Sequence, residues 1–299
     1  MENRELLLPS FAKINLHLQV IGRRPDGFHD LCTVFQTISL QDDLTIALGE
    51  DVRMTCGDDG IPVGEQNLVV RAANELRSEF GIKCGARIHL EKRIPAPGGL
   101  GGGSSNAAVV LLGLRKLWRV DAGVEALHPL AERLGSDVPF FLYGGTALGT
   151  GRGESVEPIS DFTEEFMLVV TPDVAVATRD AFKRLNADPL TKQESKRRLR
   201  LCRFDLESAD FKHTAFKNDF ETTVFAAYPE VERAKVTLLD LGARQAMLSG
   251  SGGSVFAVFD KDETRQAALK ALDKEVNWRK FAVATVSRDE YREALKQVF

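Results

Sequence analysis

Residues 95–108 read PAPGGLGGGSSNAA, and the chemistry this composition and spacing favour is the holding of an anion. Gly98, Gly99, Gly101, Gly102 and Gly103 have no Cβ, so the backbone can turn with either sign of φ and come close to a ligand. Successive N–H groups in such a run can converge on negative charge. Ser104, Ser105 and Asn106 are N-cap residue types, and the apolar run from Ala107 and Ala108 through Val109, Val110, Leu111, Leu112 and Leu114 predicts a buried helix. A glycine loop feeding a helix start sets the positive end of the helix dipole where a polyphosphate would lie. A flexible linker is the other reading of so much glycine, but linkers are flanked by polar, low-complexity sequence. Here the preceding stretch, residues 86–94, alternates as a strand with Ala86, Ile88 and Leu90 on one face, and the apolar helix follows at once. Two familiar phosphate signatures fail on spacing. A Walker loop needs Lys directly after its last glycine, and a dinucleotide fingerprint starting at Gly99 needs glycine where Ser104 stands.

Three other places carry residues capable of chemistry. Residues 12–20 alternate strictly, with Ala12, Ile14, Leu16, Leu18 and Val20 apolar, which predicts a half-buried strand with Lys13 and Asn15 side by side on its polar face. Taken alone, that face is either an ordinary solvated surface or part of a site. A turn on Pro25, Asp26 and Gly27 presents Phe28 and His29. Asp137, in GSDVP, reads by itself as a cap or turn carboxylate ahead of Pro139. Lys92 reads as a solvated strand residue, Gly149, Gly151 and Gly153 as a tight hairpin, and the basic residues 192–203 as a solvated helix face without the interleaved aromatics of a nucleic-acid site.

The elements that must position these residues alternate irregularly. Strands are expected at 31–40, 44–48 and 52–56, with Asp42 and Asp43 forming a turn between the first two. A helix is expected from Asn67 through Leu68, Ala72, Leu76 and Phe80 to Gly81, and another over 124–134, interrupted by Pro129. Beyond residue 160 come a strand at 166–171, a loop and helix over 172–182 with Thr178 and Phe182 on one face, and a helix at 230–241. Strands at 246–248 and 254–259 flank a turn at 249–253. A helix near 263–272, a strand at 281–286 and a closing helix complete the chain. Without regular βαβα alternation this is an α+β protein, and 299 residues at 43% hydrophobic favour two lobes, 1–159 and 160–299. A net charge of -4 argues against a nucleic-acid partner, and the absence of a long apolar run or a leader argues against membrane or secretion and for the cytoplasm. Four cysteines without C-x-x-C spacing read as reduced thiols.

The glycine-loop motif resembles the second motif of the small-molecule kinases that include galactokinase, homoserine kinase, mevalonate kinase and phosphomevalonate kinase. Residues 9–22, PSFAKINLHLQVIG, with Arg24, Pro25, Asp26, Gly27, Phe28 and His29, are similar to the amino-terminal motif of one branch, and residues 248–254, LSGSGGS, resemble the third motif. The resemblance implies a two-lobed kinase fold, with an amino-terminal lobe like domain 2 of ribosomal protein S5 and a ferredoxin-like carboxy-terminal lobe. It implies ATP and Mg²⁺, with Lys13 and Asp137 catalytic. By the same resemblance Asn67, Leu68 and Val69 pack near the adenine and Lys92 lies near the nucleotide. Pro97, Gly98, Gly99, Leu100, Gly101, Gly102, Gly103, Ser104, Ser105 and Asn106 would hold the phosphates, with Ser104 or Ser105 offering a hydroxyl to the metal. Asn15, Phe28, His29, Thr178 and Phe182 would line the acceptor pocket. The implied acceptor is the tertiary hydroxyl of a cytidine-diphosphate-linked methylerythritol in the non-mevalonate isoprenoid route, the alternative being another alcohol such as homoserine or mevalonate, and the implied assembly is a monomer or weak homodimer. Pro97 and Phe28 depart from the family, which often has glycine or alanine and tyrosine there.

Overall fold

The computed structural model describes residues 5–185, 187, 189, 191–207 and 217–299. In chain order the strands are β1 (Glu5–Arg23), β2 (His29–Gly49), β3 (Arg53–Cys56), β4 (Gly85–Glu91), β5 (Thr146–Gly151), β6 (Ser155–Pro158), β7 (Met167–Pro172), β8 (Lys217–Asn218), β9 (Gln245–Leu248), β10 (Val255–Val258) and β11 (Trp278–Val283). The α-helices are α1 (Leu68–Glu79), α2 (Gly102–Leu117), α3 (His128–Leu134), α4 (Thr178–Leu185), α5 (Lys192–Glu207), α6 (Glu221–Ala227), α7 (Pro229–Asp240), α8 (Asp262–Ala271) and α9 (Arg288–Ala294). One sheet runs β3-β4-β2-β1-β8, with β5 pairing the far end of β2 and carrying β6. The second runs β11-β7-β10-β9.

The β1–β2 hairpin is the spine, paired from Glu5 opposite Ala47 to Arg23 opposite His29. Asp42 and Asp43, expected in a turn, lie inside β2, which is one strand across residues 31–48. A buried carboxylate can occupy a central strand because the Asp42 oxygens accept from the Lys92 side chain, the Arg93 and Ile94 amides and the Asn106 amide. The strict alternation expected for β1 also fails. The pairing register shifts between Asn15 and His17, so the extra residue moves the following side chains to the other face. Ile14 and Leu16 enter one core and Leu18 another, while His17 turns toward Cys202 of α5, 3.8 Å from its sulfur. The middle of β1 is buried on both faces rather than half-buried.

Helix α2 lies in the core of the first sheet, buried nearly all round from Ser105 to Leu114, with Arg115 and Lys116 complementing its C-terminal dipole. It starts at Gly102 with Gly101 in the left-handed region (φ 70°), so Ser104, Ser105 and Asn106 sit in its first turns and do not cap it. The expected 124–134 helix is a 3-10 turn, Val124–Leu127, followed by α3 with Pro129 in the first turn, where the missing N–H costs nothing. The basic helix α5 is not simply solvated: Arg198 donates to the Ile21 carbonyl and Arg203 pairs with Glu157.

Sheet membership changes between β6 and β7, near residue 160, but two later segments return to the first sheet. β8 pairs in parallel with β1 at His17 and Leu18, and α9 buries Tyr291 in the first core, its hydroxyl 2.5 Å from the Phe141 carbonyl. A core containing Ile14, Val34, Met167, Phe256 and Val283 joins the sheets. Among the described residues no helix is long and apolar enough to cross a membrane, and no disulfide joins the four cysteines.

Candidate active site

Strand β1 and the glycine loop are tied by backbone: the Lys13 amide donates to the Leu100 carbonyl at 2.9 Å. This puts the Lys13 side chain, 4% exposed, under the loop. Its ammonium donates to Asn15 Oδ1 at 2.8 Å and the Gly99 carbonyl at 3.0 Å, and stands 3.4 Å from Asp137 Oδ2. Asp137 arrives on the turn before the 3-10 segment Pro139–Leu142 and stays 34% exposed, open to the cavity. A lysine whose cation is held by two neutral oxygens and one carboxylate can support a negative charge developing next to that carboxylate.

The loop is built backbone against backbone. A Cβ on Gly99 would stand 2.2 Å from the Ser249 carbonyl oxygen, and one on Gly252 2.3 Å from the Gly99 nitrogen, so neither position admits a side chain. Gly99 has φ +76° and Gly250 φ +59°. The Ser254 amide and the Ser249 hydroxyl donate to the Gly98 and Gly99 carbonyls at 3.1 Å each. Asn218, buried at the edge of β1, donates through one amide group to the carbonyls of Leu248 and Gly250, and so clamps the 248–254 turn onto the loop. The amides at the start of α2 have no intrahelical acceptors and face the cavity at Gly102, Gly103 and Ser104.

A cavity of about 1180 Å³ follows this wall. Neighbour to neighbour, it runs from Leu68 beside Gly103, past Gly101 against the Lys13 stem, to Asp137 and Gly153. From Gly153 it passes Arg152, whose guanidinium carbon lies 5.0 Å from the Phe28 ring centroid, and ends at His29 stacked on Phe182 at 5.0 Å. Phe182 is braced edge-on by Phe220 at 4.7 Å. Burial and the nearby Arg23 charge hold His29 below its ordinary pKa, so the ring is neutral at neutral pH and keeps one donor and one acceptor nitrogen.

Most of the residues expected in a site meet here. Lys13, Asn15, Phe28, His29, Leu68, Pro97, Gly98, Gly99, Leu100, Gly101, Gly102, Gly103, Ser104, Asp137, Thr178 and Phe182 all line the cavity. Five expected nucleotide contacts do not. Asn67 caps α1, accepting from the Val69 amide, and Val69 is 1% exposed in the core. The Ser105 hydroxyl accepts from Ser10 in the interior. Asn106 and Lys92 are both committed to Asp42. Thr33, Arg152 and Asn218 were not singled out by sequence. A polar Thr33 within an apolar strand and a cation between Gly151 and Gly153 were available signals, but Asn218 sits in no pattern at all.

Two domain families match the chain, one on each side of this cavity. Residues 67–145, with the glycine loop and Asp137, match the GHMP kinases N terminal domain, and residues 204–277, with the 248–254 turn, match GHMP kinases C terminal. The fold is thus that of an ATP-dependent GHMP small-molecule kinase. The chain is 37% identical over 282 residues to the 4-diphosphocytidyl-2-C-methyl-D-erythritol kinase of Pelodictyon phaeoclathratiforme, covering 89% of this chain and 93% of that protein. It is 43% identical over 266 residues to the protein of the same name from Chlorobium limicola, covering 88% and 91%. A crystal structure of 4-(cytidine 5'-diphospho)-2C-methyl-D-erythritol kinase superposes with a TM-score of 0.76 at 32% identity, covering 94% of this chain and 99% of that one. The chain belongs to the 4-diphosphocytidyl-2-C-methyl-D-erythritol kinase family.

Proposed function

We propose that this kinase transfers the γ-phosphoryl group of ATP to the tertiary 2-hydroxyl of 4-diphosphocytidyl-2-C-methyl-D-erythritol, with Asp137 as base and Lys13 as its electrostatic partner. The observation that carries the assignment of roles is the Lys13–Asp137 contact at the point where the glycine cradle opens into the aromatic end of the cavity. The Asp137 carboxylate takes the hydroxyl proton as the acceptor oxygen bonds to phosphorus, the bond from phosphorus to the bridging oxygen breaks, and ADP leaves. Lys13 favours the charge building on the acceptor oxygen.

The cradle suits a triphosphate: Gly99 and Gly101 leave no room for a Cβ, and the α2 amides supply donors without partners. Leu68 gives an apolar wall for the adenine. Mg²⁺ brought with the nucleotide would neutralise phosphate charge, and of the two candidate serines Ser104, which faces the cavity, would be the one to hold it. At the other end His29, Phe182 and Thr178 take the cytosine, and Arg152 is the cation between that end and Asp137, beside the acceptor's diphosphate. Cysteines without a disulfide fit a reducing cytoplasm. ADP release should be measured with the cytidylated alcohol, free methylerythritol phosphate, homoserine and mevalonate, using wild type and His29→Ala. Preference for the cytidylated alcohol, lost in His29→Ala, is expected; equal use of the other alcohols would overturn the acceptor assignment.

A further inference from the structure

Asn15 meets Lys13 with its oxygen and Thr33 with its nitrogen, at 2.8 Å each. The two ends of a primary amide have nearly the same shape and opposite hydrogen-bonding character, so something must fix which end faces the ammonium. The Thr33 hydroxyl does so. Its single proton goes to the His17 carbonyl at 2.6 Å, which can only accept, and toward Asn15 it therefore offers only lone pairs. The direction is forced: Asn15 amide to Thr33 oxygen, Thr33 proton to the His17 carbonyl. Reversing Asn15 would set an NH₂ group against the ammonium and leave an oxygen facing an oxygen. Thr33 and Asn15 are 1% and 2% exposed, so water does not offer an easy substitute. The carbonyl that ends the relay belongs to the residue at the β1 register shift.

We propose that Thr33 is a positioning residue for phosphoryl transfer: it sets the orientation of the Asn15 amide and thereby holds the Lys13 ammonium beside Asp137. This rests on the catalytic reading of Lys13 and Asp137. Without the hydroxyl, the Asn15 amide loses the acceptor that fixes its orientation, and Lys13 loses the assured hold of one of its three oxygens.

The test compares Thr33→Ala with Thr33→Ser, which share the loss of the methyl and differ only in the hydroxyl. Turnover in Thr33→Ala should be on the order of tenfold below Thr33→Ser, the worth of one hydrogen bond at a charged centre, with KM for ATP equal in the two. In an Asn15→Ala background the two substitutions should give the same turnover, because the relay has lost its middle member. Equal turnover of the two variants in the wild-type background, or an undiminished difference in the Asn15→Ala background, would overturn the proposal. Lys13→Ala separates the layers: if it is slow while Thr33→Ala matches Thr33→Ser, only the relay fails, and if it is fully active the catalytic reading itself fails.

Discussion

The molecule contains two lysine–carboxylate pairs close to the glycine loop, and they are built in opposite ways. Lys92 and Asp42 meet at 2.9 Å with side chains 6% and 0% exposed. Lys13 and Asp137 meet at 3.4 Å, with the acid one-third exposed. In the first pair the remaining valences are filled: Asp42 also takes two backbone amides and Asn106, and Lys92 also donates to the Ile94 carbonyl. Burial holds the Lys92 ammonium below the usual lysine range, although Asp42 pulls it up. That knot joins β2, the start of the loop and α2, and every oxygen of its carboxylate is occupied from within the chain. In the second pair the lysine is held but the carboxylate keeps an open side toward the cavity. A saturated buried pair is scaffold, and a pair with one unsaturated, accessible partner is where chemistry can occur.

The comparison breaks most visibly at Asp137. Asp137→Asn is expected to lower turnover about a hundredfold to ten-thousandfold, the range for loss of a positioned base, while ATP affinity and melting temperature stay near wild type. A variant that turns over normally would move chemistry away from this pair. The mirror experiment is Asp42→Ala, which strands a buried ammonium and should cost about 3–5 kcal/mol of folding stability by denaturant titration. If stability were unchanged, the scaffold reading of Asp42 would fall.

Smaller effects sharpen the division. Gly103 has only Leu68 near its would-be Cβ, at 3.9 Å, and ordinary helical backbone. Gly103→Ala should therefore raise KM for ATP by intruding on the cradle while adding up to about 1 kcal/mol of stability from helix propensity. A rise in stability without weaker ATP binding would place the nucleotide elsewhere. The mildest test is pH. The folded pKa of His29 lies below its ordinary value of about 6.5, so as pH falls through that lowered value the ring gains a proton and loses its acceptor nitrogen. KM for the cytidylated acceptor should rise there, with KM for ATP flat, and His29→Ala should remove the difference. Between the two pKa values the unfolded chain binds more protons, so the His29 contribution to stability increases with pH across that window.

Local pattern carried a large share of this protein. The glycine run, the apolar helix behind it, the Asn67 cap and the strand expected at 86–94, which ends at Glu91, are legible because each depends on near neighbours: φ freedom, capping groups and side-chain periodicity. The resemblance of residues 9–29, 95–108 and 248–254 also names the kinase class before any fold is seen. What tertiary structure alone decided is which polar groups are spent and which are free. Lys92 and Asp137 are equally unremarkable in sequence, and the difference between them is made by Asp42, fifty residues before Lys92, and by Lys13, far upstream of Asp137. The register shift between Asn15 and His17 is likewise invisible in an alternating string, yet it turns Leu18 to the cavity and His17 away from it. Asn218 clamps the third motif from a segment with no pattern, because a buried amide is recruited by the carbonyls it finds in space rather than by its neighbours in the chain.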